Sequence, residues 1–119
     1  MATTGNEIEI IQGDSRIIVI IATDMDGKVL DCRGADKVYF SVRETEDSEE
    51  YLIHKEGLVE IAEKGVLAVM LTPEETLLPA GNYWYDIEVW FSKGALVYTV
   101  VKDRFIVLKE ITKVRSYVS

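Results

Sequence analysis

Short runs of β-branched and aromatic residues alternate along this chain with polar or glycine-containing joints, the pattern of an all-β domain. Glu7 to Gln12 ("EIEIIQ") reads as an opening strand, and Gly13-Asp14 separates it from "SRIIVIIATD". Apolar residues occupy both faces of that second run. It therefore reads as a central strand covered on both sides, with a short buried helix as the alternative that periodicity leaves open. Asp26-Gly27 then predicts a tight hairpin, because both residues tolerate positive φ. "KVYFSVRE" alternates cleanly, with Val38, Phe40 and Val42 on one face and Tyr39, Ser41 and Arg43 on the other. Glu44 to Glu50 is an acidic loop whose like charges hold it in water. "YLIHKEG", "LVEIAEKG" and "VLAVMLT" supply further strands, jointed at Gly57 and Gly65.

The stretch "LTPEETLLPAGNYWYDIEVW" changes direction within twenty residues. Thr72 suits a helix N-cap, Pro73 the first helical position, and Glu75 completes a capping box three residues after the cap. Pro79 stops the helix after little more than a turn, so one short helical turn is expected near residues 73–78. Pro79-Ala80-Gly81 fits a type I turn. The segment thus reads as a crossover between two sheets. Beyond it Tyr83, Tyr85, Ile87, Val89 and Phe91 share one face at period two, expected to turn inward. Trp84, Asp86, Glu88 and Trp90 share the other. Lys93-Gly94 turns the chain, and "ALVYTVVKDRFIVLKEI" returns as one long strand, or as two with a bend near Lys102-Asp103.

About seven to nine strands with one helical turn predict an antiparallel immunoglobulin-like β-sandwich over residues 7–108. Residues 1–6 are expected to form a flexible N-terminus, and residues 109–119 a tail or an added strand. In immunoglobulin-like domains a tyrosine near the start of the sixth strand bonds back to the preceding corner. Tyr83 stands at that place, and Tyr85 occupies the position of the second disulfide cysteine.

Size and composition agree with one globular domain: 119 residues, 48% hydrophobic and 29% charged. The net charge of −8 argues against a broad phosphate-contacting surface for nucleic acid, and against an anionic membrane surface. Lys102, Arg104, Lys109, Lys113 and Arg115 read as solvated strand and tail residues. The longest apolar run, Ile17 to Ala22, is far short of the roughly 20 residues of a membrane-spanning helix. No basic segment leading into a long apolar core is seen at the start, so no targeting is expected.

Candidate chemistry is sparse. Cys32 and His54 are the single cysteine and histidine, at unrelated positions, and are read as structural rather than as a catalytic pair. Asp24, Asp26 and Asp31 invite a calcium hypothesis, but their spacing fails the EF-hand pattern and fits a polar turn instead. Asp86 and Glu88 could serve acid–base chemistry on sugars only across a cleft, and are read as solvated strand carboxylates. Phosphate loop, zinc cluster and nucleophile elbow motifs are missing, so neither enzymatic activity nor a cofactor or metal is expected. Trp84 and Trp90 could be covered within the domain, form a protein interface, or stack on a ligand. With Tyr39 and the C-terminal Tyr117 they are the candidate interface residues.

The order of "IQGDSRIIVI", "DGKVLDCRGADKVYFSVR" and "GVLAVMLTPEETLLPAGNYWYDIEV" resembles small immunoglobulin-like structural proteins of tailed bacteriophages and prophages. The likeness is to the N-terminal domain of baseplate upper proteins and spans roughly residues 8–108. The resemblance implies assembly rather than catalysis. Other phage structural proteins would be the partners, with a homo-oligomer possible, in a virion component made in the bacterial host cytoplasm. The chain departs from the family in ending soon after the sandwich, which keeps a small head or tail accessory role beside the baseplate one. The alternative reading is a carbohydrate-binding or adhesion module of the same fold class.

Overall fold

A computed structural model describes residues 6–111. Residues 1–5 of the expected flexible N-terminus lie outside that range, as do residues 112–119 of the expected tail or added strand, Tyr117 among them. Among the described residues there are eight strands: β1 (Ile8–Ile11), β2 (Arg16–Ile21), β3 (Ala35–Arg43), β4 (Ile53–Glu56), β5 (Leu58–Ile61), β6 (Val66–Leu71), β7 (Gly81–Phe91) and β8 (Leu96–Leu108). They form a five-stranded sheet in the order β1-β8-β7-β3-β4 and a three-stranded sheet in the order β2-β6-β5. This is an immunoglobulin-like sandwich, in which β4 extends the sheet that holds β7 and β8. All ladders are antiparallel except one. β1 runs parallel to β8, pairing Ile8 with Phe105 through Ile11 with Leu108.

The core follows the period-two pattern. Val38, Phe40, Val42, Tyr83, Tyr85, Ile87 and Val89 are all buried between the sheets. At their centre Phe40 packs on Tyr85 and Phe105, with ring centroids 5.7 and 6.1 Å apart. A tyrosine thus fills the space that a cystine occupies in antibody domains. Tyr83 makes the expected corner: its hydroxyl donates to the Pro79 carbonyl at 2.5 Å. The Tyr85 hydroxyl donates to the carbonyl of Asn6. Burial, reinforced by the charges of Glu44 and Asp103 respectively, raises the pKa of both phenols, so each stays protonated as a donor.

The crossover from β6 to β7 holds the expected capping box, with residues 73–76 as a single hydrogen-bonded turn on the Thr72 carbonyl, while the 3-10 turns lie at Ala62–Lys64 and Ser92–Gly94. The amide of Thr72 donates to Glu75 Oε1 at 2.9 Å, and the amide of Glu75 donates back to Thr72 Oγ1 at 3.3 Å. Glu75 also accepts from Lys55 Nζ at 2.8 Å, while the same ammonium donates to the Met70 carbonyl. Lys55 belongs to β4 and Met70 to β6, so one side chain bridges the two sheets. Burial would raise the Glu75 carboxyl, but the bonds from Lys55 and Thr72 outweigh it and hold the group below the usual carboxylate range. A second crossing needs a single residue. Gly57 joins β4 of one sheet to β5 of the other, and a Cβ there would lie 2.9 Å from both the Ala68 carbonyl oxygen and Val69 Cγ2.

Three local expectations change. Asp26-Gly27 is not the centre of a two-residue hairpin. The Asp24 amide donates to the Lys28 carbonyl, closing a three-residue loop that ends on left-handed Gly27 (φ 81°). β8 is one continuous strand, and its irregularity falls not at Lys102-Asp103 but at Val100, the extra residue between the pairs Glu88–Thr99 and Ile87–Val101. Most consequential, β2 is not a central strand covered on both sides. It is an edge strand, and its second face is open to solvent.

Candidate functional site

Two outward faces remain after the core is built. On the five-stranded sheet the register aligns His54, Ser41, Asp86 and Lys102 across four strands, with Arg43, Trp84 and Arg104 in the next row. Tyr39, Trp84 and Trp90 are all on this face and half-buried. They are not one patch, however. Trp84 and Trp90 are six residues apart on β7, a separation of about 20 Å at strand rise. Tyr39 meets Trp90 edge to face at 5.0 Å, and Trp90 donates its indole N–H to Glu88 Oε1 at 3.0 Å. Tyr39 also stacks on His54 at 5.1 Å, His54 on Tyr51 at 4.4 Å, and the Arg43 guanidinium lies 4.6 Å over the Tyr51 ring. An aromatic ladder therefore crosses the sheet from β7 to the loop before β4.

That ladder accounts for His54, whose Nδ1 is also 2.8 Å from Ser41 Oγ. Asp86 is the cross-strand neighbour of Ser41 on the other side. Burial, then the neighbouring Glu88, raises the Asp86 carboxyl against the opposing pull of Arg43, Lys102 and His54. Among the described residues no hydrogen bond joins Asp86 to the imidazole. The histidine thus has no carboxylate orienting it, as a nucleophile–base–acid relay needs. Cys32 is remote from this chemistry. It is buried in the core, which raises its thiol pKa, with the Asp31 charge adding to the effect.

Beside the ladder the sheet face is concave. A groove of about 360 Å³ is lined by Ser41, Arg43, Trp84, Asp86, Glu88 and Lys102, among others. The acidic loop does not simply stand in water: Glu46 reaches over to Lys102 at 2.7 Å and closes one side. The carboxylates weighed for calcium are employed separately. Asp24 Oδ1 accepts from the amides of Asp26 and Lys28, and both oxygens of Asp31 accept from Arg33. No cluster of three or more metal-binding side chains is present among the described residues.

The other face, on the three-stranded sheet, is of a different kind. Cross-strand partners share a face, so the pairs Ile17–Met70, Val19–Ala68–Leu58 and Ile21–Val66–Ile61 form three apolar rows on its outer surface. Ile17, Val19, Ile21, Leu58 and Met70 are each between 59 and 66% exposed. The paired residues of these rows are uncharged, and Glu60 is the extra residue between Leu58 and Ile61 at the irregularity of β5. Lys55, Glu56 and Glu60 lie beside them, whereas Arg16 shares the inward face of its partner Leu71 and donates to the Glu9 carbonyl. Sequence reading recognised the apolar character of Ile17, Val19 and Ile21 but supplied them with a cover that the fold does not provide.

No family model and no curated protein matches the chain. Solved structures similar to the chain include two that align over most of it. An endo-β-1,4-mannanase from Thermotoga petrophila aligns over 88% of this chain with a TM-score of 0.50 and 19% identity, and the chain spans only 18% of that enzyme's length. The NK cell receptor Nkp44, a triggering partner in natural cytotoxicity, aligns over 89% of this chain and 100% of its own, with a TM-score of 0.50 and 12% identity. At such identities the likeness is one of fold, and Nkp44 agrees with the immunoglobulin-like topology. No helix among the described residues is long and apolar enough to cross a membrane.

Proposed function

We propose that this chain is an assembly domain of a tailed-phage or prophage particle, acting by protein–protein contact in its head, tail or baseplate. The observation that carries the reading is the open apolar face of the three-stranded sheet. Its six exposed side chains, Ile61 included, are 41–66% exposed and stand on neighbouring paired strands, a cluster of the kind that marks a contact surface. Such a surface is stabilised when another protein covers it. The phage setting rests on the sequence resemblance over residues 8–108. The test is incorporation. The wild-type chain should be found in particles purified from an induced host, and Leu58→Lys should be lost from them while remaining folded. Absence of the wild-type chain from the particles, or normal incorporation of Leu58→Lys, sinks the proposal.

A second reading is favoured by the groove on the opposite face, where Trp84 lies beside Asp86 and Glu88. Aromatic rings flanked by carboxylates suit a sugar ring, whose C–H face stacks while its hydroxyls donate. Titration of bacterial wall polysaccharides against tryptophan fluorescence distinguishes it. A saturable shift that Trp84→Ala abolishes supports glycan binding, and a flat response across the panel counts against it.

A further inference from the structure

We infer that the partner covering the three-stranded sheet is a second copy of this chain, packed face to face about a two-fold axis. This deepens the assembly reading above, on which it rests, by naming the occupant. The first argument is area. Ile17, Val19, Ile21, Leu58, Ile61 and Met70 are each 41–66% exposed on one three-stranded face, and with the residues around them they make a surface on the scale of the ~800 Å² that each partner of a standard stable interface buries.

The second argument is self-complementarity. Three uncharged rows place no fixed charge opposite a partner, so a copy rotated by a two-fold meets like with like without an unpaired ion. Stacked sheets meet at about 10 Å with strands near −30° to one another, and this three-stranded surface can adopt that packing without moving the core.

The third argument concerns repulsion. With a net charge of −8, two copies repel unless the acids are kept apart. Glu44 to Glu50 join β3 to β4, both in the five-stranded sheet, and Asp86 and Glu88 lie on the outer side of that sheet. Association through the three-stranded sheet therefore puts these charges on the far sides of the pair, beyond the ~8 Å screening length at physiological salt, and leaves only Glu56 and Glu60 at the margin of the contact.

The test uses the full chain. Sedimentation or light scattering at about 10 μM should give twice the 13.5 kDa chain mass, since interfaces of standard size hold at micromolar concentration or below. Val19→Lys, in the middle row, should give the single-chain mass and weaken dimerisation by roughly 100-fold or more, because the ammonium would be buried unpaired. Val19 is exposed in one chain, so circular dichroism should show the variant folded; Val19→Thr, which adds no charge, should retain most of the association. A wild-type chain that stays at 13.5 kDa up to about 100 μM overturns the inference. So does a Val19→Lys variant that associates as the wild type does. If the wild type is monomeric yet Leu58→Lys is still excluded from particles, a different protein covers the face and the assembly reading survives. If Val19→Lys is monomeric yet enters particles normally, the dimer stands and the assembly reading falls.

Discussion

Removing one oxygen at the corner before β7 measures what that corner contributes. Tyr83→Phe keeps the ring, which is buried, and so opens no cavity. It deletes only the bond from the hydroxyl to the Pro79 carbonyl, at 2.5 Å near the short end of the O–H···O range. Pro79 is exposed, so water can satisfy its freed carbonyl and no unpaired-acceptor penalty arises. What remains is the net worth of a neutral hydrogen bond, about 1 kcal/mol within a range of about 0.5–1.5. For a domain of this size that corresponds to a fall in Tm of about 3–6 °C. Urea unfolding should show a lower midpoint at an unchanged slope, since neither end state changes its exposed surface. Tyr98→Phe is the control, because Tyr98 is exposed on β8, and it should change nothing. A Tyr83→Phe variant within about 0.3 kcal/mol of wild type would refute the corner as a stabilising device; a loss above about 3 kcal/mol would mean that the phenol does something besides bonding Pro79.

Two other outcomes follow from the geometry. The raised pKa of Asp86 means that the folded chain holds its proton more tightly than the unfolded chain, so stability declines as pH rises from the ordinary carboxylate range through the folded value. Asp86→Asn should therefore melt higher than wild type near pH 7, with the difference vanishing below about pH 4; equal melting temperatures at both pH values would exclude the buried charge as a cost. Gly57→Ala forces its new methyl against a carbonyl oxygen and Val69 at the sheet-to-sheet crossing, and should destabilise by about 1–3 kcal/mol in denaturant titration, whereas a neutral result would show that the crossing yields easily.

Much of the candidate site was legible residue by residue and illegible as an arrangement. Tyr39 on its strand, and Trp84 with Trp90 on theirs, were each read on the side away from the apolar row, because a strand's side-chain alternation is local and needs no knowledge of neighbours; that both sides form one face depends on the pairing of β3 with β7. That Tyr39 belongs with Trp90 and not with Trp84 depends on the register of β3 against β7. His54 and Tyr51 enter the same ladder only because β4 pairs with β3, and no spacing in the chain announces it. The Lys55–Glu75 bridge joins two positions 20 residues apart, and neither looks unusual on its own.

The amino-acid sequence alone determined the strands, the capping box at Thr72 and Glu75, the corner tyrosine and the inward row from Tyr83 to Val89, since each is written in spacing that a few consecutive residues satisfy or fail. The tertiary structure decided where β2 would lie, and with it the character of the surface. Ile17, Val19 and Ile21 look the same in a covered central strand as in an edge strand whose outer face is bare. Periodicity reports how many faces are apolar, whereas what lies over each face depends on pairings between residues far apart in the chain.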